Sequence, residues 1–228
     1  MNGKESLSSR RISYVTSAWA GLEDVLDKGL KPKGMPAFFH PLHELAERGA
    51  QIDLVVLSDS NSSYENVESD YFKNTRVTVL PWPKGKSLKS IALLFNTLIK
   101  LFQHLRGSKP DFIYALGTTG AFGVIIAKML RVPVGVRIFG INKYYELYKQ
   151  IGKARFALKS PLLFMLFKLR SKFIIATDDG SNADKLNKHI GHRSNKFLFW
   201  KNGFDSGYES VQVNEQQPFL LYPARISD

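Results

Sequence analysis

The chain has 228 residues, 44% hydrophobic and 23% charged, which is ordinary globular composition and long enough for one large or two small domains. Lysine and arginine (32) outnumber aspartate and glutamate (20), giving a formal net charge of +12. That excess suits an anionic partner: nucleic acid, an anionic membrane surface or a phosphorylated substrate. The absence of cysteine excludes disulfides and thiolate metal sites.

Residues 1–10 are polar and lack the apolar stretch of a signal peptide, so we expect a polar tail. No apolar run reaches the roughly 18 residues that a membrane-spanning helix needs. We therefore expect a cytoplasmic protein, soluble or bound at the inner face of the plasma membrane.

Seven short runs rich in β-branched and aromatic residues are predicted to be strands. Several are apolar almost throughout, which is typical of parallel strands covered on both faces. They occupy residues 11–18, 51–59, 76–82, 111–117, 133–140, 172–178 and 196–200. Helical patterns separate them, and this alternation predicts a Rossmann-like three-layer α/β/α domain with a mainly parallel sheet over residues 11–205.

The clearest helical patterns cover residues 34–49 and 87–107. The first ends at Gly49, a residue favoured at helix C-termini. The second repeats apolar residues at intervals of three and four, and we expect this stripe to face the core. Its members are Leu88, Ile91, Phe95, Leu98, Phe102 and Leu105.

Ligands of parallel α/β sheets bind beyond the carboxyl ends of the strands, so the residues after each strand are the candidate site residues. The long loop after the first strand closes with Gly34, just before a helix. This glycine would let a phosphate approach the free N–H groups of the helix, but a flexible loop ended by a glycine is an equally good interpretation. The spacing does not match the G-x-G-x-x-G dinucleotide fingerprint.

The segment "GTTGAFG" (117–123) follows the fourth strand and opens a helix. Its glycines and threonines could cradle an anion. A simpler interpretation is favoured: Thr118 or Thr119 caps the helix, while Gly120 and Gly123 let helix and sheet approach closely. No G-K-[ST] follows, so the segment is not a P-loop.

Arg137 lies near the carboxyl end of an otherwise apolar strand. A guanidinium is rarely buried without a partner, so it either pairs with an internal carboxylate or faces the ligand cleft and meets an anion. Its place on the strand favours the cleft.

Six basic residues between Lys153 and Lys172 surround the apolar run "PLLFMLF" (161–167). Six consecutive apolar residues exceed what one core-facing stripe needs, so this segment is the candidate for contact with an anionic membrane. Nucleic acid is not expected, because no recognised motif accompanies the charge and aromatic residues do not interleave with the bases. The five histidines are not at metal-ligand spacing, so no metal ion is expected.

Several segments, taken in order, resemble the N-terminal half of GT-B glycosyltransferases of the family 4-like group, which are retaining sugar-nucleotide transferases. "LAERG" (45–49) is similar to the phrase that ends their first helix. "KPDFIYALG" (109–117) and "PVGVRIFG" (133–140) resemble their fourth and fifth strands. "KNGFD" (201–205) is similar to the P-N-G-V-D that ends their N-terminal domain, and "FLLYPARIS" (219–227) to the first strand of their C-terminal domain.

The resemblance implies a domain organisation. Residues 11–205 would form the acceptor-side domain, residues 206–217 the interdomain linker, and residues 218–228 the first strand of a truncated donor-binding domain. The catalytic residues would then lie beyond Asp228, and we expect this chain alone to be inactive.

The resemblance also implies site residues. Gly34 and Arg225 match positions that contact the donor diphosphate, a task that suits the planar fork of an arginine. Phe139 stands where many members have histidine, and Ala224 stands where they have glycine. The candidates for the acceptor cleft are Gly117, Thr118, Arg137, Phe139 and Gly140.

The implied activity is glycosyl transfer from a nucleotide-sugar donor to a sugar or lipid-linked acceptor, in the synthesis of cell-surface polysaccharide or glycolipid, without a metal or other cofactor. One alternative is a non-catalytic Rossmann-like module whose basic surface binds RNA, protein or membrane. Another is a different GT-B enzyme, such as a sugar-nucleotide epimerase.

Overall fold

The computed structural model describes residues 7–17, 36–58, 74–83, 88–178 and 182–201. The strands are β1 (Arg11–Ser17), β2 (Gln51–Ser58), β3 (Thr75–Pro81), β4 (Phe112–Leu116), β5 (Val134–Ile138), β6 (Phe173–Asp178) and β7 (Phe197–Lys201). The helices are α1 (Pro36–Glu47), α2 (Leu88–Ser108), α3 (Gly120–Leu130), α4 (Asn142–Lys159), α5 (Pro161–Lys168) and α6 (Ala183–Ile190). All seven predicted strands are present, each within two residues of its predicted bounds.

The seven strands form one sheet in the order β3-β2-β1-β4-β5-β6-β7, and every pair is parallel. The predicted Rossmann-like α/β fold is therefore confirmed. The chain first builds the sheet outward from β1 to β3 and then returns to add β4 on the other side of β1. This reversal of strand order places a crevice beyond the carboxyl ends of β1 and β4.

The two faces of the sheet are covered unequally by the described helices. Phe38 and Leu42 of α1 pack with Tyr14 and Leu54 on one face. Helices α2 to α6 pack on the opposite face, where the larger core cluster lies. The unequal cover follows from crossover handedness, because right-handed connections that run in opposite directions along the sheet lie on opposite faces.

Two glycines let α3 approach the sheet, as the sequence predicts. A Cβ on Gly120 would lie 2.9 Å from the carbonyl carbon of Ala115, and one on Gly123 would lie 3.1 Å from Cβ of Val15. The predicted threonine cap is not formed. Thr119 occupies the N-cap position of α3, but its side chain makes no capping hydrogen bond.

The predicted core stripe of α2 is partly wrong. Leu105 is fully buried, and Leu98 and Phe102 pack at the edge of the core. Ile91 and Phe95, however, are 46% and 62% exposed. The amino-terminal half of α2 therefore presents apolar side chains away from the core.

The contacts of Thr97 show which side of α2 faces the sheet. Its hydroxyl donates to the carbonyl oxygen of Pro81, the last residue of the edge strand β3, at 2.6 Å. On the same side of the helix, Leu94 packs against the core, and Leu101 and Leu105 are completely buried. Ile91 and Phe95 lie on the opposite side, in line with the exposed Ile99.

The apolar run before β6 belongs to the core, which corrects its assignment as a surplus apolar surface. Leu163, Leu166 and Phe167 of α5 are at most 1% exposed. Leu162 and Phe164 pack against the same core cluster. Since α5 contacts α3, α4 and α6, it needs apolar side chains on more than one stripe.

Candidate functional site

Two loops meet at the carboxyl edge of the sheet, after β4 and after β5. The backbone N–H of Gly117 donates to the carbonyl oxygen of Arg137 at 2.9 Å, which ties the loops together. Gly117 and Gly140 have φ values of +66° and +62°, a region that glycine enters without strain. The Phe139 ring lies against Gly117, 4.0 Å from where a Cβ would stand. Four of the predicted cleft residues are thus brought together.

The turn into α3 leaves two backbone donors available. The N–H groups of Gly120, Ala121 and Phe122 bond back to the carbonyl oxygens of the three preceding turn residues at 3.1 to 3.2 Å. The backbone N–H groups of Thr118 and Thr119 donate no hydrogen bond within the described part of the chain. Thr119 is also buried with its hydroxyl unpaired. Unpaired donors beside the strand-order reversal suit an anionic ligand.

Arg137 is the only charged residue among the buried side chains of the described ranges, with 4% exposure. No described carboxylate forms an ion pair with it, and its Nε has no hydrogen-bond partner there. Its guanidinium lies close enough to the hydroxyl of Tyr114 to act on the pKa of that group. Of the two roles predicted for Arg137, this geometry fits a cationic group held ready for an anion better than an internal ion pair.

Two tyrosines beside Arg137 have raised pKa values. Burial raises the pKa of Tyr114, and the nearby positive charge of Arg137 offsets part of the rise. Burial raises the pKa of Tyr14 still further, with an added contribution from Tyr114. Both hydroxyls are therefore neutral at physiological pH, so neither cancels the charge of the guanidinium.

An aromatic floor, formed by Tyr14, Tyr114 and Phe173, lies on the same face of the sheet as Arg137. The rings of Tyr14 and Tyr114 meet edge to face with centroids 5.1 Å apart, and Phe173 lies 6.2 Å from Tyr114. Sequence reasoning missed this floor. The sequence does contain one indication of it, a tyrosine inside each of two aliphatic strands. The strand register pairs these two tyrosines directly.

The other predicted site residues are not covered by the structure. Gly34 and Arg225 lie outside the described residues, as do residues 202–228, so the predicted diphosphate contacts, linker and second domain stay predictions. Within the described ranges, no three His, Asp or Glu side chains are grouped as metal ligands. None of the helices described there is both long and apolar enough to span a bilayer.

Comparison with known proteins gives a likeness of fold. No protein-family model matches the chain, and no curated protein matches it. Solved structures do match, and they include GT-B glycosyltransferases and related sugar-nucleotide enzymes.

Three of the matching structures illustrate the identity, coverage and TM-score of the matches. Sucrose-phosphate synthase of Thermosynechococcus elongatus is 11% identical, with a TM-score of 0.49; the match covers 83% of this chain and 87% of that one. Arabidopsis thaliana UGT89C1, complexed with UDP-L-rhamnose, is 15% identical with a TM-score of 0.48, covering 85% and 52%. UDP-GlcNAc 2-epimerase of Methanocaldococcus jannaschii is 12% identical with a TM-score of 0.45, covering 81% and 44%. The chain thus spans about half the length of the last two proteins.

Proposed function

We propose that the chain is the acceptor-side, N-terminal domain of a retaining, sugar-nucleotide-dependent glycosyltransferase of the GT-B, family 4-like type. It would act in the synthesis of cell-surface polysaccharide or glycolipid. The observation that supports this most is the crevice at the strand-order reversal: the turn after β4 carries the unpaired N–H groups of Thr118 and Thr119, and the end of β5 carries a buried guanidinium without a carboxylate partner among the described residues. Such a set of donors favours a substrate that carries negative charge.

The proposed reaction transfers a glycosyl group in one step. The acceptor hydroxyl oxygen bonds to the anomeric carbon, and the bond from that carbon to the diphosphate oxygen breaks. The diphosphate leaves with the bonding electron pair and takes up the hydroxyl proton. Fixed positive charge stabilises the departing diphosphate, and we propose that Arg137 and Arg225 supply it. Backbone N–H groups after Gly34 are proposed to donate hydrogen bonds to the same diphosphate.

We also propose peripheral contact with an anionic membrane, now assigned to α2 instead of the segment 153–172. Ile91, Phe95 and Ile99 are 46%, 62% and 55% exposed and lie four residues apart on one side of the helix. The exposed Lys89 and Lys100 flank them. Each such base adds about 1 kcal/mol of attraction near an anionic surface, while the apolar side chains enter the interface.

Vesicle sedimentation tests the membrane proposal. At low salt, phosphatidylglycerol vesicles should bind the chain, and Phe95→Ser should weaken that binding severalfold. Leu158→Ser is the matched control, because Leu158 is 83% exposed but lies on α4. Equal loss in both variants, or no binding by the parent chain, would contradict the assignment to α2.

The enzymatic proposal is tested with the protein made from the complete reading frame. That protein should release nucleoside diphosphate from one member of a nucleotide-sugar panel only when an acceptor is added, and NMR of the product should show a retained anomeric configuration. Inversion at C2 of the nucleotide sugar without an acceptor, and with no net release of nucleoside diphosphate, would favour the epimerase alternative. Salt-dependent RNA binding with no response to sugar nucleotides would favour the non-catalytic module.

A further inference from the structure

A second groove lies at the opposite edge of the sheet, where the strands begin. Its volume is about 400 Å³, which is within the range of small-molecule sites. The end of α3 forms one wall, and the segment that leads into β6 forms the other. The polar residues that line it are Lys128, Arg131, Arg170, Ser171, Lys172 and Asn195.

The charge of this groove is entirely positive. Its lining contains four basic side chains, Lys128, Arg131, Arg170 and Lys172, and no carboxylate. All four are exposed, and none forms an ion pair with any described residue. Like charges around one concavity repel each other, and the field they create attracts an anion into it.

A buried hydroxyl between two of these bases also lacks a partner. Ser171 is 4% exposed, and its Oγ makes no hydrogen bond within the described structure. The backbone N–H of Asn195 donates to the carbonyl oxygen of Ser171 at 3.0 Å and so fixes this wall of the groove. A buried hydroxyl is normally paired, so one left unpaired in a basic groove favours a ligand that accepts hydrogen bonds.

Helix capping does not explain why all four basic residues surround the groove. A base in the last turn of a helix is favoured by the helix dipole, and this explains Lys128. Arg131 is the C-cap residue of α3 with φ +59°, a left-handed position that favours glycine or asparagine. Arg170 and Lys172 follow the end of α5 and lie outside any helix.

We propose that this groove is a binding site for a small phosphate-bearing anion, a phosphomonoester or a diphosphate, and that it is separate from the glycosyl-transfer cleft. The two arginines offer planar forks for bidentate contacts to phosphate oxygens, and the two lysines add point charges. The separation follows from β5, because Val134 lines the groove whereas Arg137, three residues on, belongs to the cleft. Three residues of strand span about 10 Å, so one small ligand does not fill both sites.

The test is calorimetric titration of the 228-residue chain with inorganic diphosphate at constant ionic strength. We expect saturable one-to-one binding, and the double variant Lys128→Ala/Arg131→Gly should weaken it at least about tenfold. Glycine at position 131 suits the left-handed φ of that residue, so this variant removes two charges without disturbing the helix end.

A matched control carries the same loss of charge elsewhere. Lys185 and Lys188 are exposed on α6 and do not line the groove, so Lys185→Ala/Lys188→Ala should leave the affinity for diphosphate within about twofold. Equal weakening in both double variants would overturn the proposal, since it would mean attraction by the net charge alone. Absence of saturable binding by the parent chain would overturn it as well.

Two further probes distinguish the source of the phosphate. Dihexanoyl phosphatidic acid, used below its micelle concentration, carries the phosphomonoester of a lipid headgroup, and glycerol 3-phosphate carries the same group without acyl chains. If both probes bind, and the loss of Lys128 and Arg131 weakens both equally, the ligand is a soluble phosphate ester. If phosphatidic acid binds clearly more tightly, and this binding is lost in the groove variant but kept in the control variant, the ligand is a lipid headgroup.

Discussion

His104 Nε2 on α2 lies 2.7 Å from Asp53 Oδ2 on β2, and Ser13 on β1 donates to the same oxygen at 3.2 Å. A serine, a histidine and an aspartate in mutual contact invite comparison with a hydrolase triad. In a triad, however, the histidine stands between the serine and the aspartate. Here the aspartate stands between the other two, so the cluster joins α2 to the sheet and does not activate a nucleophile.

We predict that His104→Ala lowers the free energy of unfolding by about 1.5–3 kcal/mol, because it removes a partner from a largely buried carboxylate. Asp53 is only 14% exposed in its side chain, and its other oxygen has no hydrogen bond in the described structure. Urea unfolding measures the change. Gln103→Ala, an exposed neighbour on the same helix, should stay within about 0.5 kcal/mol of the parent. Similar losses in both variants would show that the Asp53 contact is not what matters.

Gly135 and Phe173 give a second prediction about stability. A Cβ on Gly135 would overlap the Phe173 ring, which lies across β5 and contributes to the aromatic floor. Gly135→Ala should therefore destabilise the fold by about 1–3 kcal/mol through overpacking. Gly107→Ala is the matched control: a Cβ there meets nothing within 4 Å, and alanine in α2 should be neutral or stabilising. Thermal unfolding of both variants checks this, and an unchanged Gly135→Ala melting temperature would refute the packing argument.

The sequence determined the strands well because their signal is local. A short run of β-branched and aromatic residues bounded by turn residues needs no knowledge of its neighbours, so all seven strands could be placed. The buried stripe of α2 could not be placed, because the helical period leaves more than one apolar line open and only packing against the sheet decides between them. Ile91 and Phe95 fit the helical period as well as Leu105 does, yet only Leu105 meets the sheet.

The candidate site was partly predictable for a similar reason. Arg137 stands out in the sequence, since a charge inside an apolar strand contradicts its surroundings. Tyr14 and Tyr114 do not stand out, because tyrosine is common in strands and their contact follows only from the register of β1 against β4. The unpaired hydroxyl of Thr119 is likewise a property of the folded chain, as the sequence favoured a capping role for it.

Arg137→Met is the most direct test of the cleft. Methionine keeps much of the apolar stem but removes the guanidinium, so we expect glycosyl transfer by the protein from the complete reading frame to fall about a hundredfold. The free energy of unfolding should stay level or rise, because a buried charge without a carboxylate partner does not favour the fold.

The control for this variant is Arg155→Met, which removes an exposed charge from α4. Transfer by Arg155→Met should match the parent protein. If Arg137→Met transfers normally but unfolds more easily, the guanidinium has a structural role at Tyr114 and the cleft assignment fails.

The alkaline stability of the chain should depend on Tyr14 and Tyr114. Burial raises both pKa values above the ordinary value of 10.0, so in that range the folded chain holds protons that the unfolded chain has lost. Stability is therefore complete below about pH 10 and falls as the pH rises further, by up to about 1.4 kcal/mol per pH unit for each group. Urea unfolding at pH 9, 10 and 11 should show this decline, and Tyr14→Phe should make it shallower. The parent chain and the Tyr14→Phe variant should first be compared at pH 8, where neither tyrosine is ionised. An identical loss of stability in both proteins above pH 10 would mean that Tyr14 does not control the alkaline decline.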